Sequence, residues 1–190
     1  MTVTLPIDPQ ANDLLNRNPL ALLIAMLLDQ QVPLERAFAA PHGLAQRLGR
    51  EPDAAELAAC DLRTLEELFA RKPALHRYPK AMAKRVQALC REVAERYDGD
   101  AGRIWADAAS GEELRRRVAA LPGFGAQKAQ IFVALLGKRL GVRPEGWREA
   151  AGAYGEEGSH RSVADVVDEE SLIKVREHKR QMKAAARAAG

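Results

Sequence analysis

The sequence predicts an all-α protein, because apolar residues recur every three or four positions and no stretch alternates convincingly between apolar and polar residues. Residues that favour helix N-termini, such as Asn18 followed by Pro19, stand before several of these segments. The chain has 190 residues, of which 47% are hydrophobic and 29% are charged. That length is ample for one domain, or for two small subdomains that share a core.

Helix-start and helix-stop residues divide the first half of the chain into six short predicted helices. Proline suits the first helical turn, and a side-chain oxygen before it accepts from a free backbone N–H. In chain order, these helices are residues 8–16 after Pro6, residues 20–28 after Asn18-Pro19, a helix from Pro33 that carries Leu34, Ala37 and Phe38, residues 41–48 before Gly49, Ala54–Ala59 after Asp53, and Leu62–Ala70 after Asp61 or Thr64.

The second half contains longer predicted helices. The most regular is amphipathic, with Met82, Val86 and Leu89 on one stripe and basic residues mostly off it. Residues 141–160, rich in glycine and polar residues, resist assignment to a helix. The predicted elements are a helix headed by Pro79 and ended by Asp98-Gly99, residues 112–120 after a capping box of Ser110 and Glu113, a long helix after Gly125, and a basic helix from about Glu169.

Charge is unevenly distributed along the chain, although the formal net charge is only +3. Residues 71–91, 110–140 and 171–190 carry net charges of +7, +4 and +5. Any one of these runs is also typical of the solvated side of a helix. Three runs around the motif described next favour a basic face that contacts a polyanion.

Residues 121–125, Leu-Pro-Gly-Phe-Gly, lie between two predicted helices. Two glycines around an apolar residue allow a tight turn with positive φ, and Leu121 and Phe124 can pin that turn to the helices beside it. The next helix then presents free backbone N–H groups and its positive dipole end, with Lys128 in the first turn, as a site for a phosphate diester. An ordinary helix–turn–helix connection is the alternative interpretation.

The wider string is more specific. Leu-Pro-Gly-Phe-Gly followed by Lys128, Ala129 and an apolar helix resembles the helix–hairpin–helix element of the endonuclease III and alkyladenine type glycosylases. Residues 23–31, Leu-Ile-Ala-Met-Leu-Leu-Asp-Gln-Gln, resemble the early helix and glutamine-bearing loop of the same superfamily. Both elements occur in the right order within residues 19–140. The chain is therefore identified as a cluster-free, endonuclease III-like member of the helix–hairpin–helix (HhH-GPD) DNA glycosylase superfamily.

The resemblance implies an all-α fold of two helical subdomains with a DNA groove between them. Residues 19–138 would form a central helical barrel that ends in the hairpin. Residues 1–18 plus 139–190, from both ends of the chain, would form the second subdomain. The basic terminal helix would contact the DNA backbone there, in place of the cluster-bearing module of other members.

The resemblance also implies how double-stranded DNA is held. The hairpin grips the phosphate backbone, often with a monovalent cation bound by carbonyl groups of residues 121–125. Gln31 fills the gap left by a flipped-out nucleotide, which suits an amide that can replace lost base-edge hydrogen bonds. Helix C-capping by Gln30-Gln31 is the alternative. The expected DNA-binding residues are Gln31, Gly123, Phe124, Gly125, Gln127 and Lys128.

Two departures from the family pattern concern catalysis. Members that cleave the backbone use a lysine amine two residues after the second hairpin glycine, and Gln127 stands there, with Lys128 one residue further on. Lyase activity is therefore not expected. The family aspartate, about twenty residues beyond that glycine, corresponds to Glu145, with Glu149 a helical turn later and Asp165 a weaker candidate. A solvated loop glutamate is the alternative for Glu145.

Aromatic residues in the same segment offer a platform for bases. Trp147 and Tyr154, and less directly His160, could stack on an extruded base or its neighbour. The alternative for Trp147 is that it packs two helices together.

The composition limits which cofactors and which cellular location are expected. Cys60 and Cys90 cannot form an iron–sulfur cluster, a four-cysteine zinc site or a disulfide framework, so no such cofactor is expected. No metal ligand is predicted, since the histidines have no metal spacing; His42, His76 and His178 are interpreted as surface residues. The longest apolar run is too short to span a bilayer, so no membrane contact and a cytoplasmic protein are expected. With the resemblance to DNA glycosylases, we further expect a nucleoid-associated monomer.

The leading hypothesis is a base-excision repair glycosylase that hydrolyses the N-glycosidic bond of a flipped base. A non-catalytic protein that binds DNA structures or lesions is the first alternative. A helical protein-interaction domain is the second, and it predicts no salt-dependent DNA binding.

Overall fold

The computed structural model describes residues 1–189, and every regular element in that range is helical. The predicted all-α class is therefore confirmed. Eleven α-helices are present in the described residues: α1 (Pro9–Arg17), α2 (Pro19–Leu28), α3 (Leu34–Leu48), α4 (Ala54–Ala59), α5 (Leu62–Ala70), α6 (Pro79–Arg96), α7 (Arg103–Ala106), α8 (Gly111–Ala119), α9 (Ala126–Leu135), α10 (Trp147–Ala151) and α11 (Glu169–Ala188). A π-helical turn, Leu136–Leu140, continues α9, and 3₁₀ turns occupy Gly152–Gly155 and Val163–Asp165.

Side-chain caps open the helices where the sequence predicts them. Asn18 accepts from the backbone N–H of Ala21 at 3.0 Å, at the start of α2. Asp53, Asp61 and Ser110 do the same at α4, α5 and α8, which decides between Asp61 and Thr64 in favour of Asp61. The reciprocal bond of the predicted box is shifted by one residue, since the Glu113 carboxylate accepts from the N–H of Ala109.

Three elements differ from the prediction. The helix α3 runs unbroken through Pro41, where two helices were predicted. Pro41 removes one backbone hydrogen bond, but Pro41 and Leu44 are both buried, and that packing favours one continuous helix. The first helix opens at Asp8 rather than Pro6, and the unassigned residues 141–160 contain α10 and a 3₁₀ turn.

The helix α2 is the centre of the core. All nine residues from Leu20 to Leu28 are at most 4% exposed, so this helix is apolar on every side and needs neighbours all round. It is packed by α1, α3 and α6, while α4 and α5 cover α6 and α10 covers α8 and α9.

The buried apolar residues form one cluster that extends from Val3 to Val175. It includes residues from both predicted subdomains, whose division stays a prediction; residue 190, assigned to the second one, lies outside the described range. None of the helices in residues 1–189 is long and apolar enough to cross a membrane.

Candidate functional site

The hairpin has part of the geometry that its sequence predicts, with positive φ at Gly123 but not at Gly125. Gly123 has φ +81°, a backbone conformation that favours glycine, and the Phe124 N–H donates to the Leu121 carbonyl at 3.0 Å. Leu121 and Phe124 are buried, and the Phe124 ring meets the Phe132 ring edge-on. The turn is therefore anchored from below by its two apolar residues.

The exposed side of the hairpin consists of backbone. Gly125 begins α9 without a side-chain cap, and the first internal hydrogen bond of the helix is from Ala129 N–H to Gly125 carbonyl at 2.9 Å. The N–H groups of residues 126–128 precede that bond and have no partner within residues 1–189. Because Gly125, Ala126 and Gln127 are exposed, this helix end is open to an anion.

The Lys128 side chain is bonded to the end of α2. Its ammonium donates to the carbonyls of Met26 at 2.9 Å and Leu27 at 3.2 Å, at the C-terminal end of α2. Burial lowers the pKa of this lysine, an effect opposed by the nearby Asp29 carboxylate. The predicted phosphate contact of Lys128 stays a prediction, but its ammonium is engaged in joining α9 to α2.

The loop after α2 lies next to the hairpin. A Cβ atom added to Gly123 would overlap Cδ1 of Leu27, so the end of α2 and the turn are in direct contact. Four residues later, Gln31 is exposed and has φ +57°, which few non-glycine residues adopt. Gly123 and Lys128 therefore both contact the end of α2, and the exposed Gln31 follows that contact by four residues.

A buried histidine holds this loop in place. His76 is 1% exposed, and its Nε2 donates to the carbonyls of Leu28 at 3.2 Å and Gln30 at 2.9 Å. The interpretation of His76 as a surface residue is therefore wrong. Its Nδ1 accepts from the Tyr78 N–H at 3.0 Å, so the ring is the neutral Nε2–H tautomer, and burial lowers its pKa.

Gln30 and Gln31 have different surroundings. The Gln30 side chain donates to the Leu27 carbonyl at 2.8 Å and accepts from Arg85 at 2.7 Å. Gln30 is therefore the helix-capping amide, and Gln31 remains free to contact a ligand.

A cleft of about 300 Å³ opens beside the first turn of α9. The Gln127 side chain donates to the Tyr154 hydroxyl there at 2.7 Å, so the fold brings two of the predicted site residues together. The remaining lining residues come from α9, from the 3₁₀ turn that contains Tyr154, from the segment before the 3₁₀ turn Val163–Asp165, and from α11; they are Gln130, Ile131, Ala153, Arg161, His178, Lys179 and Met182.

One carboxylate near the hairpin, that of Asp29, was not predicted from the sequence as a site residue. Asp29 ends α2, and Lys128, Lys179 and Glu35 all act on its charge. Burial raises the pKa of Asp29, and the two lysines only partly offset that effect. The signal in the sequence is the acidic residue itself, because a carboxylate is unfavourable at the negative end of a helix.

The predicted catalytic glutamates lie elsewhere. The Glu145 carbonyl accepts from the N–H of Gly111 at 2.7 Å, at the opposite end of α8 from the hairpin. The nine residues of α8 span about 13 Å at 1.5 Å per residue. Glu145 and Glu149 are both exposed, and the structure does not bring Glu145 to the hairpin. Their catalytic role stays a prediction.

Asp165 has a structural environment. Its carboxylate is 4% exposed and pairs with the Lys138 ammonium at 2.6 Å. It also accepts from the Ser159 hydroxyl and from the N–H groups of Arg161 and Ser162. These bonds close the segment between α10 and α11, which accounts for Asp165 without a catalytic role.

Trp147 is part of the core. It is 8% exposed, and its ring lies so close to Gly137 that a Cβ atom there would overlap it. The guanidinium groups of Arg148 and Arg143 lie 4.7 and 5.8 Å from the ring centre. These contacts match the packing alternative; stacking of Trp147 on a base stays a prediction.

Most of α11 projects from the body of the protein. Leu172 and Val175 are buried, but every side chain from residue 179 to residue 189 is exposed, including Met182 at 55%. The helical spacing of Leu172, Val175 and Met182 predicts that all three pack inward, and for Met182 this prediction is wrong. The basic residues Lys179, Arg180, Lys183 and Arg187 therefore face solvent next to the cleft.

Comparison with known families agrees with this geometry. The family model for the HhH-GPD superfamily base excision DNA repair protein matches residues 24–189. No curated protein and no solved structure was found to match the chain. The matched range contains the second half of α2, the Gln31 loop, the hairpin and the basic helix α11. With most of its length matched, the chain belongs to the HhH-GPD superfamily of base excision DNA repair proteins.

Proposed function

We propose that this protein is a DNA glycosylase that hydrolyses the N-glycosidic bond of a damaged or mismatched base flipped out of double-stranded DNA. It leaves the sugar–phosphate backbone intact. The observation that supports the proposal is the contact between the hairpin and the end of α2, where Leu27 touches Gly123 and Lys128 of α9 bonds to the carbonyls of Met26 and Leu27, four residues before Gln31.

Each part of this surface has a use in base removal. The free N–H groups of α9 bind a backbone phosphate, and Gln31 enters the stack when a nucleotide leaves it. The neighbouring cleft, about 300 Å³, lies at the lower end of the usual size range of small-molecule sites, roughly 300–1,000 Å³. Tyr154 offers it a ring for stacking, and the amides of Gln127 and Gln130 can bond to base edges.

The absence of lyase activity follows from two residues. Gln127 occupies the position of the family lysine and cannot form a Schiff base. Lys128 is the nearest amine in sequence, but its ammonium is held by the carbonyls of Met26 and Leu27. We expect an abasic-site duplex to remain uncut and to form no borohydride-trapped adduct with the protein.

Three further features belong to the proposal. The protein acts as a monomer on duplex DNA in the cytoplasm, where it associates with the nucleoid. A monovalent cation at residues 121–125 fits the carbonyls of Pro122 and Gly123, which accept no hydrogen bond from within residues 1–189. On the sequence spacing, the catalytic carboxylate would be Glu145 or Glu149, although the structure does not bring Glu145 to the hairpin.

The proposal is tested with a panel of duplex oligonucleotides that each carry one damaged or mismatched base. Purified protein in excess should release at least one of these bases and leave an alkali-labile abasic site. An undamaged duplex of the same sequence is the control. Salt-dependent binding without release of any base would support the non-catalytic DNA-binding protein instead.

Gln31→Ala should reduce base excision while leaving backbone contacts in place. We expect the single-turnover rate to fall about tenfold, since a lost amide that fills the stack is worth about 1–1.5 kcal/mol. Affinity for undamaged duplex should change less than threefold in a fluorescence anisotropy titration. Gln30→Ala is the matched comparison: it should lower the melting temperature through loss of its bonds to Leu27 and Arg85.

A further inference from the structure

We propose that Asp29 is the carboxylate that activates water for base removal in this protein. The proposal rests on the proposed glycosylase function, and it assigns to Asp29 the role that sequence spacing gives to Glu145 or Glu149. Four observations on the end of α2 lead to it.

The first observation is location. Leu27 touches the hairpin at Gly123, and Lys128 of α9 bonds to the carbonyls of Met26 and Leu27. Asp29 lies two residues after Leu27 and two residues before Gln31. A nucleotide held by the hairpin phosphate grip and displaced by Gln31 would therefore leave the duplex next to Asp29.

The second observation is that nothing in the fold uses this carboxylate. Asp29 forms no side-chain hydrogen bond and no ion pair within 4.0 Å in residues 1–189, although it is half-buried. The other polar groups at the end of α2 are fully engaged, since Lys128, Gln30 and His76 bind the free carbonyls of the helix. Helix termination is thus complete without Asp29.

The third observation is that Asp29 is locally unfavourable. A negative charge at a helix C-terminus opposes the helix dipole, and burial removes water from the carboxylate. Such residues are concentrated at functional sites, where stability is reduced in favour of chemistry.

The fourth observation concerns the charges that face Asp29. Lys128 approaches from α9, Lys179 from α11 and Glu35 from α3. Glu35 is held by Arg176 through one oxygen at 2.6 Å, and its Oε2 is buried without a partner in the described residues. Burial has the largest effect on the pKa of Asp29 and raises it. The two lysines lower this pKa and Glu35 raises it, so that the net change is upward. A base with a raised pKa accepts protons more readily.

The proposed step is hydrolysis. The bond between sugar C1′ and the base nitrogen breaks, and its electron pair leaves with the base. Water oxygen forms the new bond to C1′ and gives one proton to the Asp29 carboxylate. Asp29 returns that proton to solvent, and the departing base takes up one proton, so the products are the free base and a C1′ hydroxyl. The anionic carboxylate also stabilises the positive charge that develops on the sugar.

The test is single-turnover excision by Asp29→Asn on the duplex that the wild-type protein cleaves best. The rate should fall by roughly 100-fold or more, in the range of general-base contributions. Affinity for the same duplex should change less than threefold. At neutral pH, the melting temperature should be unchanged or higher, because asparagine removes a carboxylate whose ionised form burial disfavours. Asp13→Asn, on the exposed side of α1, is the matched control and should behave as wild type.

A pH profile separates chemistry from structure. Between pH 4 and 8, the wild-type rate should rise as Asp29 loses its proton, and the residual rate of Asp29→Asn should show no such rise. Asp29→Glu should recover part of the rate, since it restores a carboxylate at a shifted position.

The outcomes are distinguishable. Wild-type excision together with an active Asp29→Asn would overturn this proposal and leave the glycosylase function in place. A folded Asp29→Asn that is less stable, or that loses DNA affinity along with rate, would assign Asp29 a structural role and overturn it too. If the wild-type protein releases no base from any duplex, both the proposed function and this proposal fail.

Discussion

Gly123→Ala should weaken binding to duplex DNA by at least tenfold. The position has φ +81°, where an alanine costs about 1–2 kcal/mol, and the added Cβ overlaps Cδ1 of the fully buried Leu27, which adds about 1–3 kcal/mol of overpacking. The turn must shift away from α2, and the phosphate-binding N–H groups shift with it. The melting temperature should fall by about 4–20 °C, at roughly 2–4 °C per kcal/mol for a domain of this size.

Gly125→Ala is the matched control for this experiment. Gly125 has φ −106°, and no atom lies within 4 Å of an added Cβ. This variant should keep the wild-type melting temperature, so any loss of DNA affinity in it reports the methyl group added near the phosphate and not a displaced turn. Equal affinities for the Gly123→Ala variant and wild type would remove the hairpin from the DNA interface.

Trp147→Ala should cost about 3–5 kcal/mol of unfolding free energy, which is typical of a buried aromatic residue. The ring fills the space between Gly137 and the Arg143 and Arg148 side chains, and its loss leaves a cavity between α10 and the end of α9. Urea unfolding monitored by circular dichroism measures the loss. Base excision per folded molecule should change little when assayed well below the melting temperature.

Tyr154→Ala is the informative comparison. Tyr154 is half-buried in the cleft and bonds to Gln127, so its removal should reduce excision more than stability. Were a fully stable Trp147→Ala variant to lose excision, the stacking role predicted from the sequence would be correct and the packing interpretation wrong.

The sequence was informative wherever a few neighbouring residues determine the structure. The caps at Asn18, Asp53 and Asp61 form as predicted, because each depends on a side chain and an N–H group two or three residues away. Pro41 shows the limit of this approach. A proline locally favours the end of a helix. Here Pro41 and Leu44 are both buried, and this tertiary packing overrides the local preference.

The same distinction between local and long-range contacts explains which parts of the candidate site could be predicted. The hairpin could be predicted because its glycines and apolar anchors lie within five residues. The surroundings of Asp29 could not, since Lys128 reaches α2 across about one hundred residues of chain and Lys179 approaches from α11. Glu145 was chosen by counting along the chain. Residues 141–155, however, fold back along α9, so this count ends at the N-terminus of α8 instead of at the hairpin.

The bond from Lys128 to α2 has a mechanical consequence for DNA. It joins the turn that would bind a phosphate to α2, the helix that ends just before Gln31, so the phosphate-binding turn and Gln31 are separated by a fixed span. On the proposed function, the duplex rather than the protein must deform to fit that span. The cost of bending and opening DNA depends on its sequence and falls at mismatched or damaged bases. Target selection would then depend first on how easily the duplex bends and opens, before any base reaches the cleft.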